Sequence, residues 1–502
     1  MGKDCAGQAH CRARLEIAVT FAGDGACETW RIAYNGSDRI VRAGYPICLI
    51  ALPFERTSMS QSSTPAVSDA IYDASSLGRP RMFLLGLQHL FAMFGATVLV
   101  PVLTGLSVSA TLLFAGLGTL LFHFLSRGKV PAFLGSSFAF IAGYAAIAPN
   151  GEAELLPYAC LGVACAGLLY PVLAALFRAF GAKRVMRFFP PVVTGPIVIS
   201  IGLILASSAI ANCQTNWLVA VIAVAVIVIC NIWGRGMVKI VPILLGVVVS
   251  YAVTAALGEV DFSGVAAASW VGLPIVWDNT VFALFGPQFD SGLATTAVIT
   301  IMPLAFATMI EHIGDISAIG STCERNYIAD PGLHRTLLGD GLATILASLF
   351  GAPANTTYGE NTGVLALTRV FDPRVIRIAA CCAIVLSFCP KFAAVIAAMP
   401  PCVIGGVSLV LYGMISAVGV RNLIENQVDF QNNRNVLVAA LVLVLSLGIA
   451  YSTAGAIVLE LGGVTISLSG IAVGSLVGIV LNAILPGNDF EFDVSELEEA
   501  AE

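Results

Sequence analysis

The sequence predicts an all-α polytopic membrane protein with fourteen transmembrane segments in a seven-plus-seven inverted repeat. Three observations carry this. Apolar runs of about 18 to 25 residues, long enough to cross a bilayer, recur from Met82 to Leu485. Clusters of basic residues fall in alternate loops. Several short motifs occur twice. Ser136-Ser137-Phe138-Ala139 is echoed by Thr356-Thr357-Tyr358-Gly359, and Pro190-Pro191-Val192-Val193-Thr194-Gly195 by Pro400-Pro401-Cys402-Val403-Ile404-Gly405. Gln88-His89 opens one apolar segment and Glu311-His312 closes another. A duplicated apolar half with small and hydroxyl residues at matching depths marks a secondary transporter built from repeats, with its substrate where the copies meet.

Composition agrees. The chain has 502 residues, 58% hydrophobic and 11% charged, with a mean hydropathy of +0.89. A soluble domain carries about 25% charged residues. The net charge of −6 comes with no basic stripe, which argues against a nucleic-acid partner. Most of the thirteen cysteines lie inside apolar runs (Cys160, Cys165, Cys213, Cys230, Cys381, Cys382), without C-x-x-C pairs or histidines at metal spacing. They read as small apolar residues, not disulfides or metal ligands.

Residues 1–80 differ from the rest: mixed polar and charged, with no signal-peptide core of the usual shape. Met59 begins Met-Ser-Gln-Ser-Ser-Thr-Pro, which reads like an ordinary cytoplasmic start. Residues 1–80 are therefore expected to be a disordered N-terminal extension, with 1–58 an upstream artefact of the start site. The candidate spans follow at 83–103, 107–125, 132–148, 157–178, 190–210, 217–234, 238–257, 292–313, 336–350, 355–370, 375–397, 402–418, 435–451 and 466–485.

Arg79/Arg81, Arg127/Lys129, Arg178/Lys183/Arg184/Arg187, Arg235/Lys239, Arg325/Arg335, Arg369/Arg374/Arg377 and Arg421/Arg434 occupy alternate loops. The intervening loops carry acidic residues, and only Lys391 breaks the alternation. By the positive-inside rule both termini are cytoplasmic. Seven spans per copy is an odd number, so the second copy enters from the opposite side. An acidic linker at 259–291 joins the halves outside, and the acidic tail 487–502 is a solvated cytoplasmic end.

Two spans are poor helices. Span 3 contains Pro131 and Gly135-Ser136-Ser137-Phe138, and span 10 contains Pro353 and Asn355-Thr356-Thr357-Tyr358-Gly359-Glu360-Asn361. Proline, glycine and short hydroxyl residues weaken a helix. Non-helical backbone at bilayer depth is tolerated only where protein or a water cavity covers it. Both segments are expected to be part extended and part helical, facing one another across a shared pocket.

The acidic residues deep in the spans are Glu311, Asp315 and Glu360. Asp340 is placed nearer a solvated end. An intramembrane carboxylate is costly unless protonated, paired or hydrated, which makes it a functional group by default. Glu311 and Asp315 are four apart, on one helical face and close enough to share a proton, with no Lys or Arg nearby. Such a group can change its charge state with substrate occupancy, as a proton-coupled carrier requires. Carboxylate acceptors, backbone amide donors and the apolar faces of Phe138 and Tyr358 suit a small, flat heterocycle with alternating N–H and C=O groups. A phosphorylated substrate would call for Arg or Lys. His89 and His312 read first as packed, neutral histidines.

The run Gln88-His89-Leu90-Phe91-Ala92-Met93-Phe94-Gly95, the run Gly135 to Ile141, Asp330-Pro331-Gly332-Leu333-His334-Arg335 and, above all, Asn355 to Asn361 resemble the nucleobase–ascorbate transporter family. The resemblance covers about residues 80–485. It implies a core domain (81–187 and 292–399, spans 1–4 and 8–11) and a gate domain (188–258 and 400–486, spans 5–7 and 12–14). It also implies short antiparallel strands in spans 3 and 10, a homodimer in the lipid bilayer, and nucleobase import coupled to protons. No cofactor is implied, and sodium is the alternative coupling ion. Residue by residue, Glu311 and Glu360 match the carboxylates that bind the base. Phe138 and Gly359 match backbone-amide donors, and Tyr358 a neighbouring pocket residue. Asp315 joins Glu311 in proton coupling, with Ser137, His89 and Asn361 in support.

One departure matters. Asp315 stands where a uracil-type member carries histidine, as purine-selective relatives tend to have it. Glu360-Asn361 stands where purine types have a Gln-Asn pair. Span 10 touches the ring edge, so uracil is expected over xanthine. An anion carrier of the same architecture would keep its pocket positive. An enzyme would need a nucleophile–base pair or a metal cluster, and no G-x-S-x-G elbow or ligand set is present.

Overall fold

The computed structural model describes residues 15–23, 26–34, 70–181, 184–185, 187, 189–286, 289–461 and 464–487. The chain divides into two compact units, 1–67 and 68–502.

In the first unit, β1 (Leu15–Gly23) pairs antiparallel with β2 (Ala26–Tyr34), in a register running from Leu15 opposite Tyr34 to Gly23 opposite Ala26. The proposed start at Met59 lies outside the described residues, as does the acidic tail beyond 487.

Residues 70–80 are built into the second unit. The Ile71 amide donates to the Arg369 carbonyl (2.9 Å), and the Phe371 amide to Ile71 (2.8 Å). The Ala74 amide donates to Asp372 Oδ2 (2.7 Å), and Arg374 pairs with both Asp73 and Asp372. Burial raises the Asp372 carboxyl, but the Arg374 side chain and amide outweigh it and hold the group below its usual range. Asp73 is pulled down to about 2 by the Ser75 hydroxyl first, then the Ser75 amide and Arg374.

The second unit is a helical bundle. α1 (Arg79–Thr104), α2 (Val108–Leu125), β3 (Leu134–Ser136), α3 (Ile141–Ile147), α4 (Leu156–Gly167) and α5 (Leu169–Phe180) come first. α6 (Pro191–Cys213), α7 (Trp217–Trp233) and α8 (Pro242–Ala256) follow. After a linker come α9 (Ser291–Ile301), α10 (Leu304–Thr322), α11 (Leu333–Leu349), β4 (Asn355–Thr357) and α12 (Gly359–Thr368). Then come α13 (Pro373–Ser387), α14 (Pro390–Ala397), α15 (Pro401–Glu425), α16 (Asn433–Ala450), the hairpin β5 (Ala456–Leu461) with β6 (Val464–Ser469), and α17 (Gly470–Ile484). Among the described residues, seven helices are long and apolar enough to cross a membrane, α4–α5 and α9–α10 each counted as one continuous helix, or eight with the bent pair α13–α14.

Three sequence boundaries move, each for a physical reason. The span expected at 375–397 breaks into α13 and α14, bent by 87°. Pro390 has no N–H and its ring clashes with the preceding turn, so the helix stops and restarts there. The restart explains Lys391: its Nζ donates to the Val265 carbonyl in the linker (2.8 Å) and lies 5.3 Å from the Trp270 ring centroid. The span expected to end at 313 continues to Thr322. Glu311 and Asp315 lower the local hydropathy, but the helix carries them on an open face. The β5–β6 hairpin occupies a stretch read as a loop and the start of a span.

α6 and α15 pack along one another. Each opens on a Pro-Pro pair, with the first proline extended (Pro190 ψ 158°, Pro400 ψ 150°) and the second at the first helical position, where a missing N–H costs nothing. Small residues let their backbones approach closely. Ser416 Oγ donates to the Ile199 carbonyl (3.0 Å), and Asn422 Nδ2 to Thr194 Oγ1 (2.8 Å).

Candidate functional site

β3 and β4 meet in the bundle interior as a two-stranded antiparallel pair, Leu134 opposite Thr357, Gly135 opposite Thr356 and Ser136 opposite Asn355. The pairing extends outward: the Ser137 amide donates to Ala354 (2.8 Å) and the Tyr358 amide to Phe133 (3.0 Å). Irregular backbone without water must find partners within the protein, and side chains of neighbouring helices supply them. Thr119 Oγ1 accepts from the Leu134 amide (2.9 Å). Thr344 Oγ1 donates to the Asn355 carbonyl (2.9 Å), and His123 Nε2 lies 2.9 Å from the Ala132 carbonyl. Asn355 Nδ2 donates in turn to the Phe114 carbonyl (3.0 Å).

Behind β3 the Tyr358 ring lies flat on Gly135. An ideal Cβ on Gly135 would come within 2.4 Å of ring atoms Cε2 and Cζ, so a side chain there has no room. The Tyr358 hydroxyl donates to the Ser136 carbonyl (2.8 Å), and Ser136 Oγ to the Thr97 carbonyl on α1 (2.8 Å). The side chain of Tyr358 is thus committed to the strand crossing, not to an open pocket.

Glu360 stands in the first turn of α12, where the partial positive charge of a helix N-terminus favours a carboxylate. α12 packs on α1 and α10. On α10, Glu311, Gly314 and Ala318 are exposed and Asp315 half-buried, whereas His312, Ile313, Ile316 and Ile319 are buried. That spacing is one open stripe and one packed stripe on the same helix. On α12, Gly359 and Gly363 are exposed, Glu360 half-buried and Asn361 buried. Cβ atoms added at Gly314 or Gly363 would meet nothing within 4 Å, and one at Gly359 would lie 3.9 Å from Asp315 Oδ1. The open stripes of α10 and α12 therefore face a common space, and half-buried Phe138 lies in the chain between β3 and α3. Glu311, Asp315 and Glu360 lie within electrostatic reach of one another, and Glu311 and Asp315 of Asp340.

Two further polar clusters flank this space. Asn361 Nδ2 reaches the His89 carbonyl (3.1 Å) and lies 3.1 Å from His89 Nδ1, tying α12 to α1. Thr357 Oγ1 donates to Asp315 Oδ2 (2.8 Å) and lies 3.5 Å from His312 Nδ1. His312 Nδ1 is also 3.3 Å from Asp340 Oδ2, both side chains fully buried. Asp340 is therefore not at a solvated end, as its position early in a span suggested; α11 turns it inward against α10. Ser137 is buried, its hydroxyl without a protein partner. Thr357, which positions Asp315 from behind the space, carried no signal of its own in the sequence. It was quoted in the repeat motif, but its partner on α10 is 42 positions away and invisible to local spacing.

The structure brings Glu311, Asp315, Glu360 and Gly359 together, places His89 and Asn361 beside them, and packs the Tyr358 ring against Gly135. Glu311, Asp315 and Glu360 thus bring three carboxyl groups to this space.

A sequence profile described as "Permease family" matches residues 80–455. The uracil permease of Bacillus caldolyticus is 41% identical over 83% of this chain and 94% of its own length. The uracil permease of Escherichia coli K12 is 39% identical over 80% and 90%. A putative pyrimidine permease of the same bacterium is 38% identical over 84% and 93%. Among solved structures, the transmembrane domain of a cyanobacterial bicarbonate transporter, BicA, superposes with a TM-score of 0.54 at 14% identity, covering 82% of this chain and 98% of that one. SLC26A9 gives 0.57 at 14% identity, covering 82% and 66%. These structures share the fold.

Proposed function

The chain belongs to this permease family, the uracil permeases of the nucleobase–ascorbate transporters, and is a multi-pass membrane transporter; we propose that it imports uracil together with a proton. The observation that carries this reading is the convergence of Glu311 on α10 and Glu360 on α12 beside the β3–β4 crossing. Uracil is planar and neutral, with two ring N–H groups and two carbonyls. Its N–H groups donate to the Glu311 and Glu360 carboxylates. Its carbonyl oxygens accept from the backbone amides of Phe138 and Gly359, and the Phe138 ring packs on its face. Asp315 and Glu311 share the coupled proton, while Ser137, His89 and Asn361 hold the walls in place.

Transport proceeds by alternating access. A core that holds the β3–β4 crossing moves against a gate built around α6 and α15, whose Pro-Pro starts give stiff pivots. In this reading the chain spans the plasma membrane fourteen times as two inverted halves. Both termini lie in the cytoplasm, and the protein pairs as a homodimer. The alternation of basic and acidic loops supports that orientation. The acid-lined space argues against the anion cargo of the two structural neighbours.

Xanthine is the second reading, favoured by Asp315 alone. Uptake of radiolabelled uracil, with unlabelled xanthine as competitor and with a protonophore, tests the proposal. Uptake should be collapsed by the protonophore and indifferent to xanthine. Efficient competition by xanthine would reassign the substrate, and protonophore-insensitive accumulation would remove the proton.

A further inference from the structure

We propose that the buried pair His312–Asp340 is a proton store behind the site, connected to Asp315 through the hydroxyl of Thr357. This rests on the proton-coupled reading above and assigns the coupled proton a second resting place. Four groups stand in line. Asp315 Oδ2 accepts from Thr357 Oγ1 at 2.8 Å, Thr357 Oγ1 is 3.5 Å from His312 Nδ1, and His312 Nδ1 is 3.3 Å from Asp340 Oδ2. Only Asp315 reaches the open space; His312 and Asp340 are fully buried.

The surroundings give the pair a reason to exist. His312 Nε2 and both Asp340 oxygens lack a well-formed hydrogen bond, and burying such groups is costly when they stay unsatisfied. The groups that act electrostatically on this region are Glu311 and Asp315 on α10, Glu360 on α12, Tyr358 before it, Asp340 on α11 and Tyr170 on α5. All four carboxyl groups repel added negative charge, and the Tyr170 hydroxyl is engaged with Thr308 at 2.5 Å. His312 is the basic side chain placed among them. The Phe122 ring packs edge-on, 6.1 Å away, and keeps that side apolar.

The transfer balances. Protonated Asp315 gives its proton to Thr357 Oγ1 as the Thr357 hydroxyl proton passes to His312 Nδ1. Thr357 ends with one hydrogen, Asp315 becomes a carboxylate, and His312 becomes an imidazolium beside Asp340. The reverse transfer returns the proton to Asp315 when the site empties. His312, Asp340 and Thr357 touch no substrate and act through Asp315.

The experiment uses the full chain in proteoliposomes and separates two readouts: proton-driven accumulation of radiolabelled uracil, and exchange of internal for external uracil without a gradient. Thr357→Val removes the bridging hydroxyl at nearly constant volume, and Thr357→Ser keeps it. We expect Thr357→Val, Asp340→Asn and His312→Gln to lower accumulation at least tenfold and flatten its pH dependence. Exchange should persist within about threefold, and Thr357→Ser should restore the wild-type pH profile. Accumulation and pH profile unchanged in Thr357→Val would overturn the relay, even if the two buried variants fail to fold. Equal loss of exchange and accumulation in Thr357→Val, not restored by serine, would make Thr357 structural and also overturn it. Absence of uracil uptake by the wild type would strike the substrate reading instead.

Discussion

The Tyr358 hydroxyl donates to the Ser136 carbonyl at 2.8 Å, so the residue that follows β4 is fastened to the last residue of β3. The bond crosses the point where two chain segments 222 positions apart run antiparallel. It positions the backbone next to Glu360, since Tyr358 is also the residue just before the first turn of α12. The aromatic side chain therefore serves the geometry of the site from behind.

Tyr358→Phe should cost about 1–3 kcal/mol, the range for leaving a buried acceptor without its donor. It should lower the thermal midpoint of the purified protein and raise the KM for uracil modestly, with the maximal rate less affected. A thermal midpoint identical to wild type would show that the crossing is held by the strand pairing alone.

Glu360→Gln should abolish high-affinity uracil binding. Loss of a hydrogen bond to a charged group is worth about 1.5–3 kcal/mol, or roughly a tenfold to hundredfold rise in Kd. Equilibrium binding of labelled uracil to the purified protein measures this, and unchanged affinity would remove Glu360 from the site. Glu311→Gln is expected to behave alike, because the two carboxylates face the same space.

Gly135→Val should destabilise the protein by about 1–3 kcal/mol through overpacking. Its Cβ would stand 2.4 Å from the Tyr358 ring and 2.7 Å from Thr97 Oγ1. Pairing it with Tyr358→Ala should relieve much of the penalty. Melting curves of the two single variants and the double variant test this coupling, and strict additivity would contradict the packing described.

Arg374→Gln should lower stability near neutral pH and matter less in acid. Asp73 and Asp372 have folded values below their ordinary 3.8, that of Asp73 about 2. A depressed carboxyl contributes stability above its unfolded value and loses it as pH falls through the folded one. The gap in melting temperature between wild type and Arg374→Gln should therefore be full at pH 6 and narrow as pH falls from 3.8 towards 2. A gap constant with pH would mean that the arginine acts by packing alone.

Much of the site could be read before the fold was known, because it lies in long apolar runs where any carboxylate stands out. Glu311, Asp315 and Glu360 declared themselves in that way. Asp340 stood out too, but its depth was misjudged, since one-dimensional distance from a span's end says nothing about which way a helix turns. The bond from the Tyr358 hydroxyl to Ser136 was not legible for a related reason: its partner lies 222 positions away, on the other strand of the crossing. The break at Pro390 was legible in principle, as proline cannot continue a helix. The hairpin at 456–469 was obscured by its short, apolar strands.

The sequence by itself determined a membrane class, the irregular stretches at Gly135–Phe138 and Asn355–Gly359, and the acids that must face protein or water. Those follow from local chemistry: a side chain's transfer cost and a residue's helix preference depend little on what lies far along the chain. Tertiary structure alone decided that Thr357 joins Asp315 to His312, that Asp340 turns inward, and that residues 70–80 dock on Asp372 and Arg374. Each of those is a meeting of side chains set by how helices rotate and cross, and no spacing within a single segment encodes it.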